Sequence, residues 1–284
     1  MELALRISSS AVRTKLALRK IFAFLKRDFR INASYKLAFS YQFFGVFFQL
    51  ALFYFISKVF RGAIAPYLRG YGGDYFSFVL IGIAFSGYLR VGLTSFSGSI
   101  REAQMRGTLE ALLATPTSIS LIIFASSLWP FIWTTFNVLV YITFGVLVFK
   151  ATLNLGSLLG AFLILVLTVV AHSAIGVLSA SFVVVFKRGN PIEWFFGIGS
   201  TLLGGVYYPV EALPSWLRGV AFLLPITHSL KGMRGAILKG LPLSGILGDI
   251  LFLLAFSLVL LPLAVFVFGK ALNKAKRDGS LAHY

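Results

Sequence analysis

Apolar positions gather into six runs along this chain, at residues 37–60, 75–97, 119–149, 155–186, 192–207 and 246–268. A helix that crosses a bilayer needs about 20 mostly apolar residues. All the runs except the fifth reach that length, and the pattern predicts an all-α polytopic membrane protein with six transmembrane helices. The segment ahead of the first run has a different period. Leu18, Ile21, Phe22, Leu25 and Phe29 follow steps of three and four, while Arg13, Lys15, Arg19, Lys26, Arg27 and Arg30 cover the other side. That is an amphipathic helix, and it predicts an element lying in the headgroup plane with its apolar side on acyl chains. The chain therefore divides into a basic amphipathic segment, residues 1–36, and a six-span domain, residues 37–284.

Two interruptions are longer than turns. Residues 99–115 are polar and helix-compatible, and they stop at Pro116. Between the fifth and last runs, Pro209, Pro214, Pro225 and Pro242 cut the chain into apolar pieces of about 10 to 15 residues, a length that suits re-entrant or interfacial helices rather than spans. The second run carries Gly82, Ser86, Gly87, Gly92, Ser95 and Ser97. Small residues let backbones approach, so this span is expected inside the protein.

Composition agrees with the pattern: 58% of the 284 residues are hydrophobic and 12% are charged, with a mean hydropathy of +0.89. The formal charge of +17, from 26 Lys and Arg against 9 Asp and Glu, would suggest nucleic acid in a soluble protein. Here the cations flank apolar runs, which assigns them to lipid headgroups and to topology, with no nucleic-acid partner. With the amino terminus inside and six spans, the inner segments hold 17 Lys and Arg and the outer ones eight, with Arg90 within a span. The bias predicts a multi-pass protein of the cell membrane, inner or plasma, with both termini cytoplasmic. The basic start contains no short apolar core followed by small residues, so no cleavable signal peptide is expected.

Much chemistry is absent. There is no cysteine, no G-x-x-x-x-G-K-S/T loop, no zinc-type histidine motif and no G-x-S-x-G elbow. His172, His228 and His283 are too scattered to predict a metal site. Residues 99–116, SIREAQMRGTLEALLATP, carry the clearest local signal. On a helix, Glu102 with Arg106 and Arg106 with Glu110 are i,i+4 pairs lining one face. Such a face either receives a soluble partner or is an ordinary solvated loop helix.

Charged residues leading into RGTLEALLATP, followed much later by GGVYYPVEALPSWLRGVAFLLPITHSLKGMRGAIL, resemble the transmembrane (permease) subunit of type-2 ATP-binding-cassette exporters. The resemblance spans nearly the whole chain. It implies that residues 99–115 form a coupling helix docking on a separate ATPase subunit, with Arg101, Glu102, Arg106, Gly107 and Glu110 at the characteristic positions. Where many relatives carry a charge just before the Arg-Gly, this chain has Gln104 and Met105. The resemblance also implies a re-entrant hairpin over residues 204–240, with Pro209, Leu213, Pro214, Trp216 and Pro225 at matching positions. Partners follow: a second permease copy, identical or related, two ATPase subunits that hold ATP and Mg²⁺, and membrane lipid. No cofactor is expected in this chain, and it is not expected to be an enzyme. The implied cargo is a hydrophobic drug, a lipid or a lipid-linked glycan, with a polysaccharide-export channel as the rival. A membrane-embedded lipid transferase is the rival from another class, disfavoured by scattered histidines and few acids.

Candidate pathway residues each have a plainer role beside the functional one. Arg90 lies within snorkelling reach of the cytoplasmic interface, and the alternative is an anionic substrate. His172 reads as hydrogen-bonded packing rather than a proton relay, and Asn137 as interhelical glue. Tyr207 and Tyr208 suit the outer aromatic belt before any gating role.

Overall fold

A computed structural model describes residues 2–59, 66–72, 74–108, 111–112, 114–186 and 190–278, with no strand among them. The helices are α1 (Glu2–Ser34), α2 (Lys36–Val59), α3 (Tyr75–Met105), α4 (Ile119–Leu147), α5 (Leu158–Phe186), α6 (Pro191–Leu203), α7 (Ser215–Phe222), α8 (Pro225–Ile237) and α9 (Leu247–Arg277). Five stretches are long and apolar enough to cross a membrane: Ser40–Val59, Tyr75–Ala103, Ile119–Leu147, Leu155–Phe186 and Leu243–Ala275. The fifth apolar run is the 13-residue α6. At 1.5 Å per residue it is about 20 Å long, short of a hydrocarbon layer of about 30 Å.

Helix starts follow local chemistry. Asp74 opens α3 by accepting from the Phe76 and Ser77 amides and from the Ser77 hydroxyl, at 3.3, 3.0 and 2.6 Å. Asn190 and Pro191 open α6: the Asn190 side chain accepts from the Glu193 amide at 3.2 Å and donates to the Glu193 carboxylate at 2.8 Å. Glu193 thus serves the helix end, where an acid complements the dipole. Of the basic turn expected before it, Lys187, Arg188 and Gly189 lie outside the described residues.

Helix α5 is central, packed against α9, α3 and α8. Where α3 crosses it, a Cβ on Gly176 would fall 1.9 Å from the Gly92 carbonyl oxygen, and one on Gly92 would fall 2.5 Å from the His172 Cβ. Only glycines permit that approach. Of the five long stretches, α3 is the most buried and α2 the least, in keeping with the small residues of the second run.

The bundle has two unlike ends. At one, called here the hairpin end, the start of α3 meets the turn before α5 and the end of α8: the Thr152 amide donates to Ser77 Oγ at 3.0 Å and the Asn154 amide to the Ile237 carbonyl at 2.6 Å. At the other, the α1 end, α1 gathers with the end of α3, the start of α4 and the ends of α5 and α9 around one cavity.

Candidate functional site

The hairpin end is built from the proline-broken segment. Pro209 and Pro214 hold extended backbone on either side of a short turn, Val210–Ala212. Pro225 begins α8 as its first residue, where the missing N–H costs nothing. Pro209 and Pro225 are buried, Leu213 is half-buried, and Pro214 and Trp216 are exposed. Tyr207 stacks on Phe53 with centroids 5.5 Å apart and accepts the Tyr75 hydroxyl on its carbonyl at 3.1 Å. The Tyr208 hydroxyl donates to the Leu202 carbonyl.

Two ionisable side chains lie here, Arg234 buried and His228 half-buried, and neither was a site residue on the sequence reading. Arg234 is 2% exposed. Its Nε donates to the Phe78 carbonyl at 3.2 Å and its Nη2 to the Val206 carbonyl at 3.1 Å, while the guanidinium lies 3.4 Å from the Phe78 ring centroid. One side chain thereby ties α8 to α3 and to the turn that follows α6. Burial pushes the guanidinium down from the ordinary arginine value, opposed by the charges of Tyr71 and Glu211. Tyr71 itself donates to the Glu211 carboxylate at 2.9 Å, and burial first, then Glu211, pushes its phenol up. The second group is His228. Its Nδ1 lies 2.8 Å from Asp249 Oδ1 in the first turn of α9, its Nε2 lies 3.0 Å from the Phe222 carbonyl, and its ring stacks on Phe252 at 3.8 Å. Both ring nitrogens face acceptors.

The α1 end is open. A cavity of 810 Å³ has apolar walls that include Ile122 and Trp129 and a charged rim of Arg27, Asp28, Glu102 and Arg106. Helix α3 leaves the bundle without a break through Arg101 and Glu102 to Met105, and the chain then turns at Arg106 and Gly107, the glycine at φ +64°. The predicted coupling helix is thus divided, its first turns belonging to α3. Arg106 pairs with Glu102 at 2.6 Å, both more than half exposed. Arg101 and Gly107 are exposed, and Glu110 lies outside the described residues. Helix α1 is held against this end by Lys20, which donates to the Pro116 carbonyl at 2.7 Å and to Thr117 Oγ1 at 2.8 Å, and by Phe29 edge-on to Trp129 at 5.9 Å. Leu18 and Phe22 stay exposed to the surroundings.

Between the ends, the remaining candidates separate. His172 is wholly enclosed, with Nδ1 2.7 Å from the Thr168 carbonyl, whereas Arg90 is exposed at the midpoint of α3. Asn137 accepts from the Gln42 amide of α2 at 2.8 Å. Among the described residues no three His, Asp or Glu converge as metal ligands.

The described residues thus hold a bundle of membrane-length helices, a proline-broken segment between α6 and α9, and an exposed, charged end of α3. Residues 19–238 match the profile of the ABC-2 type transporter family. The chain belongs to that family. It is the permease type of subunit: it is 28% identical over 201 residues to the inner membrane transport permease YadH of Escherichia coli strain K12, covering 66% of this chain and 74% of that protein. The proteins of the same description from Escherichia coli O157:H7 and Shigella flexneri match equally. The ABC-2 region takes in α2 to α8, and so includes the α3 terminus, Arg234 and His228 but not Asp249.

Proposed function

We propose that this ABC-2 permease is the membrane half of an ATP-driven exporter of the inner or plasma membrane, in which two copies line the pathway and two separate ATPase subunits hold ATP and Mg²⁺. On this reading there are six crossings, α6 with residues 204–207 forming the fifth, and both termini are cytoplasmic. Helix α1 lies in the headgroup plane with Leu18 and Phe22 on lipid, and residues 204–240 form a hairpin entering from the outer side. Residues 99–115, with Glu110 among them, dock on the ATPase.

The observation that carries this is the end of α3. A mostly buried span runs as one helix to Met105 and carries the exposed Glu102–Arg106 pair at its end, so a push on that pair acts directly on the span. An exposed pair of this kind contributes under about 1 kcal/mol to folding, which leaves it free to serve recognition. The cargo class is a hydrophobic drug, a lipid or a lipid-linked glycan. The experiment is co-purification of the full chain with an ATPase subunit encoded beside it, followed by ATP hydrolysis in lipid. The expected result is a stable complex whose hydrolysis changes when the permease is present, and failure to associate contradicts the proposal.

A further inference from the structure

Five helices border the cavity at the α1 end. Ile31 of α1, Ile100 of α3, Ile122 and Trp129 of α4, Val184 of α5 and Leu272 of α9 give it apolar walls. Its 810 Å³ lies within the about 300–1,000 Å³ of ligand sites. Along α4 the lining runs from Ile119 to Trp129, about 15 Å of helix rise. That is half of a hydrocarbon layer of about 30 Å, the depth of one leaflet.

The mouth of this apolar space is charged but balanced. Arg27, Asp28, Glu102 and Arg106 all line the cavity, two of each sign in a chain whose net charge is +17. Each cation takes one oxygen of its neighbouring acid: Arg27 Nε lies 2.7 Å from Asp28 Oδ1, and Arg106 Nη2 lies 2.6 Å from Glu102 Oε1. Asp28 Oδ2, Glu102 Oε2 and the remaining guanidinium N–H groups make no hydrogen bond with a described residue. Acceptors and donors thus stand together at the head of an acyl-length apolar space.

We propose that this cavity holds a phospholipid of the adjoining leaflet whose zwitterionic head carries a primary amine, as in phosphatidylethanolamine. One acyl chain lies between α1 and α4, the ammonium meets Asp28 and Glu102, and the phosphate meets Arg27 and Arg106. The proposal rests on the reading that α1 lies in the headgroup plane, which sets the mouth at the level of lipid heads; the exposed Leu18 and Phe22 support that placement. It needs neither the ATPase nor a cargo. A primary ammonium brings three N–H donors to the free carboxylate oxygens, whereas a quaternary choline brings none. Phosphatidylglycerol has no cation for the two acids and turns a net negative charge toward them. Guanidinium forks suit the phosphate oxygens of any of these lipids, so the acids set the preference among heads.

Trp129 reports on the cavity from inside. The full chain, with Trp133→Phe, Trp194→Phe and Trp216→Phe, is placed in phosphatidylcholine nanodiscs. A lipid with brominated acyl chains, which quench indole on contact, is then included as the ethanolamine, choline or glycerol form. Half-quenching of Trp129 should need about five-fold less of the ethanolamine lipid than of either other. Asp28→Asn should bring the ethanolamine lipid to the choline value, and Lys58→Gln, outside the cavity, should keep the preference. Equal quenching by all three lipids, a preference for phosphatidylglycerol, or a preference undiminished in a folded Asp28→Asn variant overturns the proposal. If Asp28→Asn does not fold, the comparison of the three lipids decides alone. Leu18→Trp, in a chain whose four natural tryptophans are replaced by phenylalanine, reads the placement of α1 separately. Quenching at that position without an ethanolamine preference at Trp129 defeats the lipid site alone, and no quenching there defeats the placement on which it rests.

Discussion

The two ends of the bundle use charge in opposite ways. At the hairpin end, Arg234 and Asp249 are buried and His228 is half-buried, and their contacts tie α8 to α3, α7, α9 and the segment after α6. At the α1 end, Glu102 and Arg106 are more than half exposed and satisfy each other within one turn. Buried charge is destabilising unless it is fully met, so it is kept where geometry must not change. Exposed charge adds little to folding and is free to meet something else. On the proposed reading, the hairpin end is the fixed frame and the α1 end the receiver.

Breaking the frame should have the largest effect. Arg234→Met removes two attachments to Phe78 of α3 and leaves the Val206 carbonyl without its donor, a loss of about 3 kcal/mol. Thermal melting in detergent should show it as a clear fall in Tm, and an unchanged melt would erase the distinction between the ends. Asp249→Ala leaves the half-buried His228 without its carboxylate, for a loss of about 2 kcal/mol. Asp249→Asn keeps an acceptor in place and should recover much of the loss in the same assay.

The long apolar runs were legible because a run of that length has one solution in lipid: α2, α4 and α5 begin and end within a few residues of expectation. The end of α3 was less so. Residues 99–105 lack the apolar signal of a span, yet the helix runs on to Met105, so the span and the first turns of the candidate coupling segment are one element. The enclosed charges were not legible. Arg234 counts as a loop cation when topology is weighed, but two carbonyls and an aromatic face from other helices bury it, and no local spacing encodes that. The 21 residues between His228 and Asp249 likewise carry no periodic hint of their contact. In the candidate coupling segment the i,i+4 spacing of Glu102 and Arg106 did predict the observed pair.

Smaller effects sharpen the contrast from the other side. Glu102→Gln should change the melting temperature by the equivalent of under about 1 kcal/mol, since its pair is solvent-exposed. The smallest expected effect is a pH dependence at the hairpin end. The Tyr71 phenol is raised above its unfolded value near 10, so its contribution is whole below about pH 10 and is lost as pH rises further. Melts from pH 8 to 11 should fall more steeply in the natural chain than in Tyr71→Phe. Parallel curves would remove Tyr71 from the frame.

The central claim is that force enters at the end of α3, and charge reversal there tests it most directly. In the complex with its ATPase subunits reconstituted in lipid, Arg106→Glu should lower permease-dependent ATP hydrolysis on the order of ten-fold. Expression and Tm of the permease should stay at their original values. Full coupled hydrolysis in a normally folded Arg106→Glu variant would contradict the account.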